Sequence, residues 1–211
     1  MGLFLDMGLG KTVITLDAIN TLRYDRWAVQ RVLIIAPKKV AEGTWTKEAQ
    51  KWEHLRHLRI SAVLGSQQKR LRALATPADI YVINRDNVAW LVDYFKNAWP
   101  FDMVVLDESS SFKNSQSKRW KAMRRVRRFI KRMVLLTGTP SSKGLIDLWA
   151  QVYLLDCGER LGQSLSAYRE RYFDPDQRSR TQIFSYKAKD GAESAVLDAI
   201  SDICISMKAE D

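Results

Sequence analysis

Short runs of Val, Ile and Leu recur along the first two thirds of the chain, at residues 3–5, 32–36, 60–64, 80–83, 103–106 and 133–136. Apart from Ser61, the runs are apolar at successive positions instead of alternating, the pattern of a strand buried on both faces. Between them, residues 12–22, 40–52, 67–74, 87–95 and 117–131 carry apolar side chains at the helical period. Strand alternating with helix predicts right-handed crossovers and an α/β fold, a parallel sheet with helices on both faces. No internal repeat is visible.

After residue 136 the pattern changes. Residues 145–155 read as a helix, Gly158 to Gly162 break the chain, 168–173 are aromatic and charged, and Asp174-Pro175-Asp176 is a turn signal. Residues 182–187 alternate weakly, like an exposed strand or hairpin arm, and 192–207 read as an amphipathic helix. The shift places a soft boundary near residue 156, between a lobe of residues 1–155 and a C-terminal, helical extension of residues 156–211.

Composition narrows the class. A chain of 211 residues can bury a sizeable core and suits one domain with an appendage. Ten Gly, five Pro and 46% hydrophobic residues exclude disorder, collagen and low complexity. Cys157 and Cys204 supply neither a disulfide framework nor a metal cage, which predicts a reducing setting. No apolar run approaches membrane-spanning length, and residues 1–6 lack the features of a signal peptide, so a soluble, cytoplasmic protein with no membrane partner is expected.

The formal charge is +10, and its position matters more than its size. Residues 118–133 hold nine basic side chains (Lys118, Arg119, Lys121, Arg124, Arg125, Arg127, Arg128, Lys131 and Arg132) and no acidic one. The rest of the chain is nearly neutral, with 25 basic residues against 24 acidic. Trp120, Met123, Val126, Ile130 and Met133 recur there at helical spacing, predicting a helix that lies on the sheet with its arginines outward. That outer face is either simply solvated or set against duplex backbone or an acidic partner.

Polar signatures follow several predicted strands, where ligands bind in open parallel sheets. The first is Asp6-Met7-Gly8-Leu9-Gly10-Lys11-Thr12. Its glycines let backbone N–H groups converge on phosphates at a helix N-terminus, Lys11 can reach the terminal phosphates, and the Thr12 hydroxyl can hold Mg²⁺. The strict phosphate-loop pattern would have Gly where this chain has Leu5. The second is Met103-Val104-Val105-Leu106-Asp107-Glu108, whose paired carboxylates suit Mg²⁺ at Asp107 and activation of a water at Glu108. The third is Leu135-Leu136-Thr137-Gly138-Thr139-Pro140, a turn whose hydroxyls could sense nucleotide state.

The order GLGKT, Ala36-Pro37-Lys38-Lys39-Val40, Asp107-Glu108, then LTGTP resembles the first RecA-like domain of superfamily II helicases. DMGLGKT, with TGTP followed by Leu145-Ile146-Asp147-Leu148-Trp149, is most similar to the Swi/Snf-type translocases, particularly phage and prophage forms. The resemblance implies a RecA-like P-loop NTPase lobe that binds ATP and Mg²⁺ and acts on duplex DNA through backbone contacts. By the same resemblance, Gly8, Leu9, Gly10, Lys11 and Thr12 bind the nucleotide, and Thr12 and Asp107 hold the metal. Lys11 and Glu108 are catalytic. Thr137, Gly138 and Thr139 couple hydrolysis to movement. Pro37, Lys38, Lys39, Asn84 and Arg85 contact nucleic acid.

Two departures stand out: Ser110 occupies the place of the histidine usual after the carboxylate pair, and Lys143 and Gly144 stand where Asn is common. The second RecA-like lobe, with the family's arginine fingers, is absent from these 211 residues, so the isolated chain is expected to bind ATP weakly and turn it over poorly. The alternatives are a truncated, non-catalytic nucleotide- or nucleic-acid-binding module, and an unrelated P-loop kinase or small-molecule NTPase, which Pro37-Lys38-Lys39 and TGTP disfavour. His54 and His57 lie one helical turn apart without a third ligand and are expected at the surface. Trp45, Trp52, Trp90, Trp99 and Trp149 are expected to pack in the core or between helices.

Overall fold

The computed structural model describes residues 1–6, 8–138, 144–176 and 185–207. In chain order the elements are β1 (Gly2–Leu5), α1 (Lys11–Asn20), β2 (Val32–Ala36), α2 (Lys38–Ala41), α3 (Thr44–Lys51), β3 (Ile60–Val63), α4 (Gln67–Ala75), β4 (Ile80–Asn84) and α5 (Val88–Phe95). There follow β5 (Met103–Asp107), α6 (Lys118–Val126), β6 (Arg132–Thr137), α7 (Leu148–Asp156), α8 (Leu165–Tyr172), β7 (Phe173–Pro175), β8 (Tyr186–Ala188), α9 (Ala192–Ile200) and β9 (Cys204–Met207). Among the described residues no helix is long and apolar enough to cross a membrane.

Seven strands form one parallel sheet in the order β3-β4-β2-β5-β6-β1-β9. Adjacent residues of the central strands point to opposite faces, and both faces are filled. Leu33, Ile35, Val104, Leu106 and Leu135 pack with α5, α6, α7 and α9. Val32, Ile34, Ala36, Val105 and Leu136 pack against Leu16 and Ile19 of α1 and Trp45 and Ala49 of α3. This explains why the strands read as continuous apolar runs: a half-exposed strand would have alternated. Ser66, Ser117 and Ser164 cap α4, α6 and α8 by accepting backbone N–H bonds three residues on.

Three boundaries differ from the periodicity. The helix expected over 40–52 is two short helices that meet at Gly43, and Trp52 lies beyond the second with 43% of its surface exposed. The helix over 117–131 ends at Val126 and tightens into a 3₁₀ turn over Arg127–Phe129. The expected helix over 192–207 stops at Ile200, and Cys204–Met207 instead pairs in parallel with β1 as the seventh strand. The open edge of β1 overrides the helical period there: the Gly2 N–H donates to the Ile203 carbonyl at 2.7 Å and the Asp6 N–H to the Met207 carbonyl at 3.2 Å. The expected hairpin arm appears as β8, antiparallel to β7, with residues 182–184 outside the described residues.

Candidate functional site

Because all seven strands are parallel, their C-terminal ends share one edge. Across it, in sheet order, lie Asn84 and Arg85 after β4, Pro37, Lys38 and Lys39 at the end of β2, Asp107 and Glu108 after β5, Thr137 and Gly138 after β6, and the glycine turn after β1. Residues distant in sequence are thus placed along one line, with the carboxylates between the phosphate turn and the basic segments.

The turn from β1 into α1 uses Gly8 (φ 87°) and Gly10 (φ 73°) in the left-handed region, which side chains disfavour. Gly10 precedes α1 without a side-chain cap, so N–H groups of the first turn remain for an anion. The Lys11 ammonium folds back into the turn and donates to the carbonyls of Leu5 at 2.7 Å and Asp6 at 2.9 Å. A cation beside a glycine turn that opens an uncapped helix is an arrangement suited to phosphate. Thr12 is the second residue of α1, half-buried beside it.

Asp107 is the last residue of β5. Burial pushes its carboxyl up to about 6, the neighbouring Glu108 charge adds to the rise, and the Trp45 N–H and the Lys11 charge oppose it. Trp45, buried in α3, donates its indole N–H to Asp107 Oδ2 at 3.1 Å. Glu108 stands in the left-handed region (φ 53°, ψ 58°), unusual for a residue with a side chain and a source of local strain. The donors are all oxygens, one carboxylate and one hydroxyl, and no cluster of three His, Cys, Asp or Glu occurs among the described residues. That set fits Mg²⁺, which keeps waters and phosphate oxygens in its shell, better than a metal needing a full protein cage. Thr137 ends β6 fully buried and in register with Phe4 of β1, with Gly138 next to it; Thr139 lies outside the described residues.

The two basic segments converge. Ala36 and Asn84 are register partners on neighbouring strands. Lys38 and Asn84 line one cavity of about 410 Å³ with Glu42, Arg70 and Asn87. Lys38 and Lys39 open the short helix α2 with exposed side chains. Arg85 is half-buried in the turn after β4.

Three residues at this edge escaped sequence reasoning. Arg70 stacks its guanidinium 4.1 Å from the Trp90 ring, bonds to Asn87 and leaves its buried Nε without a partner. Gln151 of α7, fully buried, accepts from the Ser109 hydroxyl at 2.8 Å and so ties α7 to the carboxylate turn. Trp45 was expected only to pack. A buried Gln and a buried Trp each need a polar partner, which is the signal that could have marked them, though not which partner.

Several arginines of the basic segment contact the protein itself. Arg127 donates to the carbonyls of Leu154, Leu155 and Ile130, Arg124 stacks over Trp120 and Tyr153, and Arg125 pairs with Asp93 at 2.9 Å. Arg119 reaches Asp86, in the turn that carries Arg85, at 3.6 Å. Only the start of α6 therefore meets the carboxyl edge. His54 pairs with Asp17 at 3.2 Å and His57 packs edge-on to Tyr24, as surface residues.

The family model of the SNF2-related domain matches residues 2–195. Putative protein p41 of Acyrthosiphon pisum secondary endosymbiont phage 1 is 37% identical over 97% of this chain and 46% of its own length. DNA repair and recombination protein RAD54B of Gallus gallus is 28% identical over 98% of this chain and 22% of its own. Among solved structures, the Sulfolobus solfataricus SWI2/SNF2 ATPase core in complex with dsDNA matches with a TM-score of 0.77 at 24% identity, over 100% of this chain and 40% of that one. The chain spans less than half the length of each of these relatives.

Proposed function

Because this chain belongs to the SNF2-related family of ATP-dependent helicases and translocases, we propose that it is the lobe that binds ATP and Mg²⁺ in a DNA-dependent ATPase. The observation that carries this reading is the alignment, on one sheet edge, of the glycine turn with Lys11, the Asp107–Glu108 pair and the Lys38–Asn84 cavity. Gly8, Leu9, Gly10, Lys11 and Thr12 would cradle the phosphates, and Thr12 and Asp107 would hold Mg²⁺. When bound, the metal neutralises charge on the phosphate oxygens.

Trp45 fixes one Asp107 oxygen by its N–H and so would orient the carboxylate toward a cation. Glu108 is placed to orient and deprotonate the attacking water, because the left-handed turn lifts it away from the strand line. Thr137 and Gly138, with Thr139, would couple the nucleotide state to movement. Pro37, Lys38, Lys39, Asn84 and Arg85 would grip backbone phosphates of duplex DNA, a contact that carries no sequence information. The reading assigns the ATP lobe to residues 1–155 and treats 156–211 as an extension that docks on it through β9 and leads toward a second lobe.

The test is ATP hydrolysis with and without duplex DNA, by this chain and by a longer chain that carries a second lobe. DNA stimulation of the longer chain, abolished by Lys11→Ala, is expected. Hydrolysis indifferent to both DNA and Lys11 would refute the reading, and nucleotide or nucleic-acid binding with no turnover in either chain would favour the non-catalytic module.

A further inference from the structure

At the opposite edge of the sheet, where β2 and β4 begin, lies a cavity of about 550 Å³ lined by Arg23, Tyr24, Trp27, Arg31, Arg59 and Tyr81 among others. Its wall is irregular backbone. Helix α1 continues into a π-helical turn over Thr21–Asp25 that carries Arg23 and Tyr24. Trp27 follows in the left-handed region (φ 52°) with 84% of its surface exposed. A π turn and a bulky residue at positive φ both cost free energy, and both concentrate at functional sites. Exposure of most of an indole adds a hydrophobic cost that no packing among the described residues offsets.

Positive charge exceeds negative in the cavity. Arg23 and Arg59 share the buried carboxylate of Asp79, at 2.7 and 2.9 Å. The Arg31 guanidinium makes no ion pair among the described residues, since Asp102 is engaged by the backbone N–H groups of Gln30 and Arg31. The Arg23 Nε is buried with no acceptor. The site thus combines aromatic faces with the Arg31 guanidinium and with an Arg23–Arg59 pair whose two charges share one carboxylate, in a space that suits a single small ligand unit. A bare phosphate would use the arginines and leave the exposed Trp27 face without purpose. A nucleotide uses both, with its base stacked on an aromatic ring and its phosphate paired with a guanidinium.

We propose that this cavity binds a nucleotide unit of a single-stranded nucleic acid, the base against Trp27 and Tyr24 and the phosphate at Arg31 and Arg59. The site lies across the sheet from the Lys11 turn and stands independently of the ATP reading.

The test is binding of a short fluorescent single-stranded oligonucleotide to the 211-residue chain, followed by anisotropy in EDTA without ATP. Lys38→Glu/Lys39→Glu removes binding at the carboxyl edge from the background. In that background, Trp27→Ala and Arg31→Glu should each weaken binding about tenfold, the usual size of one stacked base. Trp27 is exposed, so its replacement leaves the fold intact, which circular dichroism checks. Photo-crosslinking should place the oligonucleotide on a peptide containing Trp27. Competition by the oligonucleotide far better than by a mononucleotide assigns the site to a strand; equal competition assigns the same chemistry to a free nucleotide. Affinity unchanged by both variants, or competition by an acidic peptide alone, would overturn the proposal.

Discussion

The two edges of the parallel sheet treat charge in opposite ways. At the amino edge most ionisable groups are matched within the chain: Asp79 by Arg23 and Arg59, the Asp102 carboxylate by two backbone N–H groups, Arg127 by three carbonyls. At the carboxyl edge the groups are held in states that the fold alone does not favour. Asp107 is half-buried with its carboxyl raised, Glu108 sits in a strained conformation, and Lys11 is held by carbonyls instead of an anion. Matched charge stabilises the fold; charge left short of partners is where a ligand adds what is missing. Arg31, in the cavity beside Trp27, is the exception at the amino edge, which is why that cavity points to a ligand of its own.

The largest expected difference between the edges is Lys11→Ala. It should weaken ATP binding at least about 100-fold, as loss of a group aimed at phosphate charge does. The melting temperature and oligonucleotide binding at the Trp27 cavity should remain close to those of the parent chain. Parallel loss at both edges would dissolve the contrast.

At the amino edge the reverse pattern holds. Arg127→Ala leaves carbonyls of α7 and of Ile130 without their donor and should destabilise the chain by about 2 kcal/mol, read by urea unfolding. The salt dependence of DNA binding should stay unchanged, because Arg127 serves α7 and not a phosphate. A reduced salt slope would return the basic helix to the nucleic-acid interface.

A finer test sits between Trp45 and Asp107. Trp45→Phe keeps the core filled and removes one hydrogen bond, so Mg²⁺-dependent ATP binding should weaken roughly 2- to 10-fold, while binding without Mg²⁺ should not change. Calorimetry with and without EDTA separates the two.

The smallest effect is the response to acid. Burial raises the Asp79 carboxyl, but its hydrogen bonds to Arg59 and the charges of Arg23 and Arg59 outweigh this and hold it at about 2. A depressed carboxyl contributes stability that is full above its ordinary value near 4 and is lost as pH falls toward 2. Asp79→Asn should therefore be less stable than the parent at neutral pH, and the gap should narrow between about pH 4 and pH 2 in thermal melts. A constant gap would mean that Asp79 acts through packing alone.

The contrast between edges also explains what the sequence could reveal. Continuous apolar runs mark strands buried on both faces, so β2, β4 and β5 and the residues just after them were the most legible, with β1 and β6 beside them; β3, partly exposed at the sheet edge, showed as a run broken by Ser61. The same logic located Gly8 to Thr12, Asp107 and Glu108. The β9 strand was not legible, because its residues continue the helical period of α9 and only the unpaired edge of β1, formed far away in sequence, recruits them. Trp45 and Gln151 were hidden for a similar reason: their partners Asp107 and Ser109 lie 62 and 42 residues away. The +10 charge was legible as a cluster, but the use of Arg127 as a cap on α7 depends on Leu154 and Leu155 ending a helix beside it.

The central claim is that the carboxyl edge is an ATP–Mg²⁺ site, and the most direct measurement is calorimetric titration of this chain with ATP in Mg²⁺ and in EDTA. Binding that strengthens with Mg²⁺, loses that dependence in Asp107→Asn and vanishes in Lys11→Ala is the predicted result. Binding of equal strength in all three proteins, or no binding in the parent chain, would contradict it.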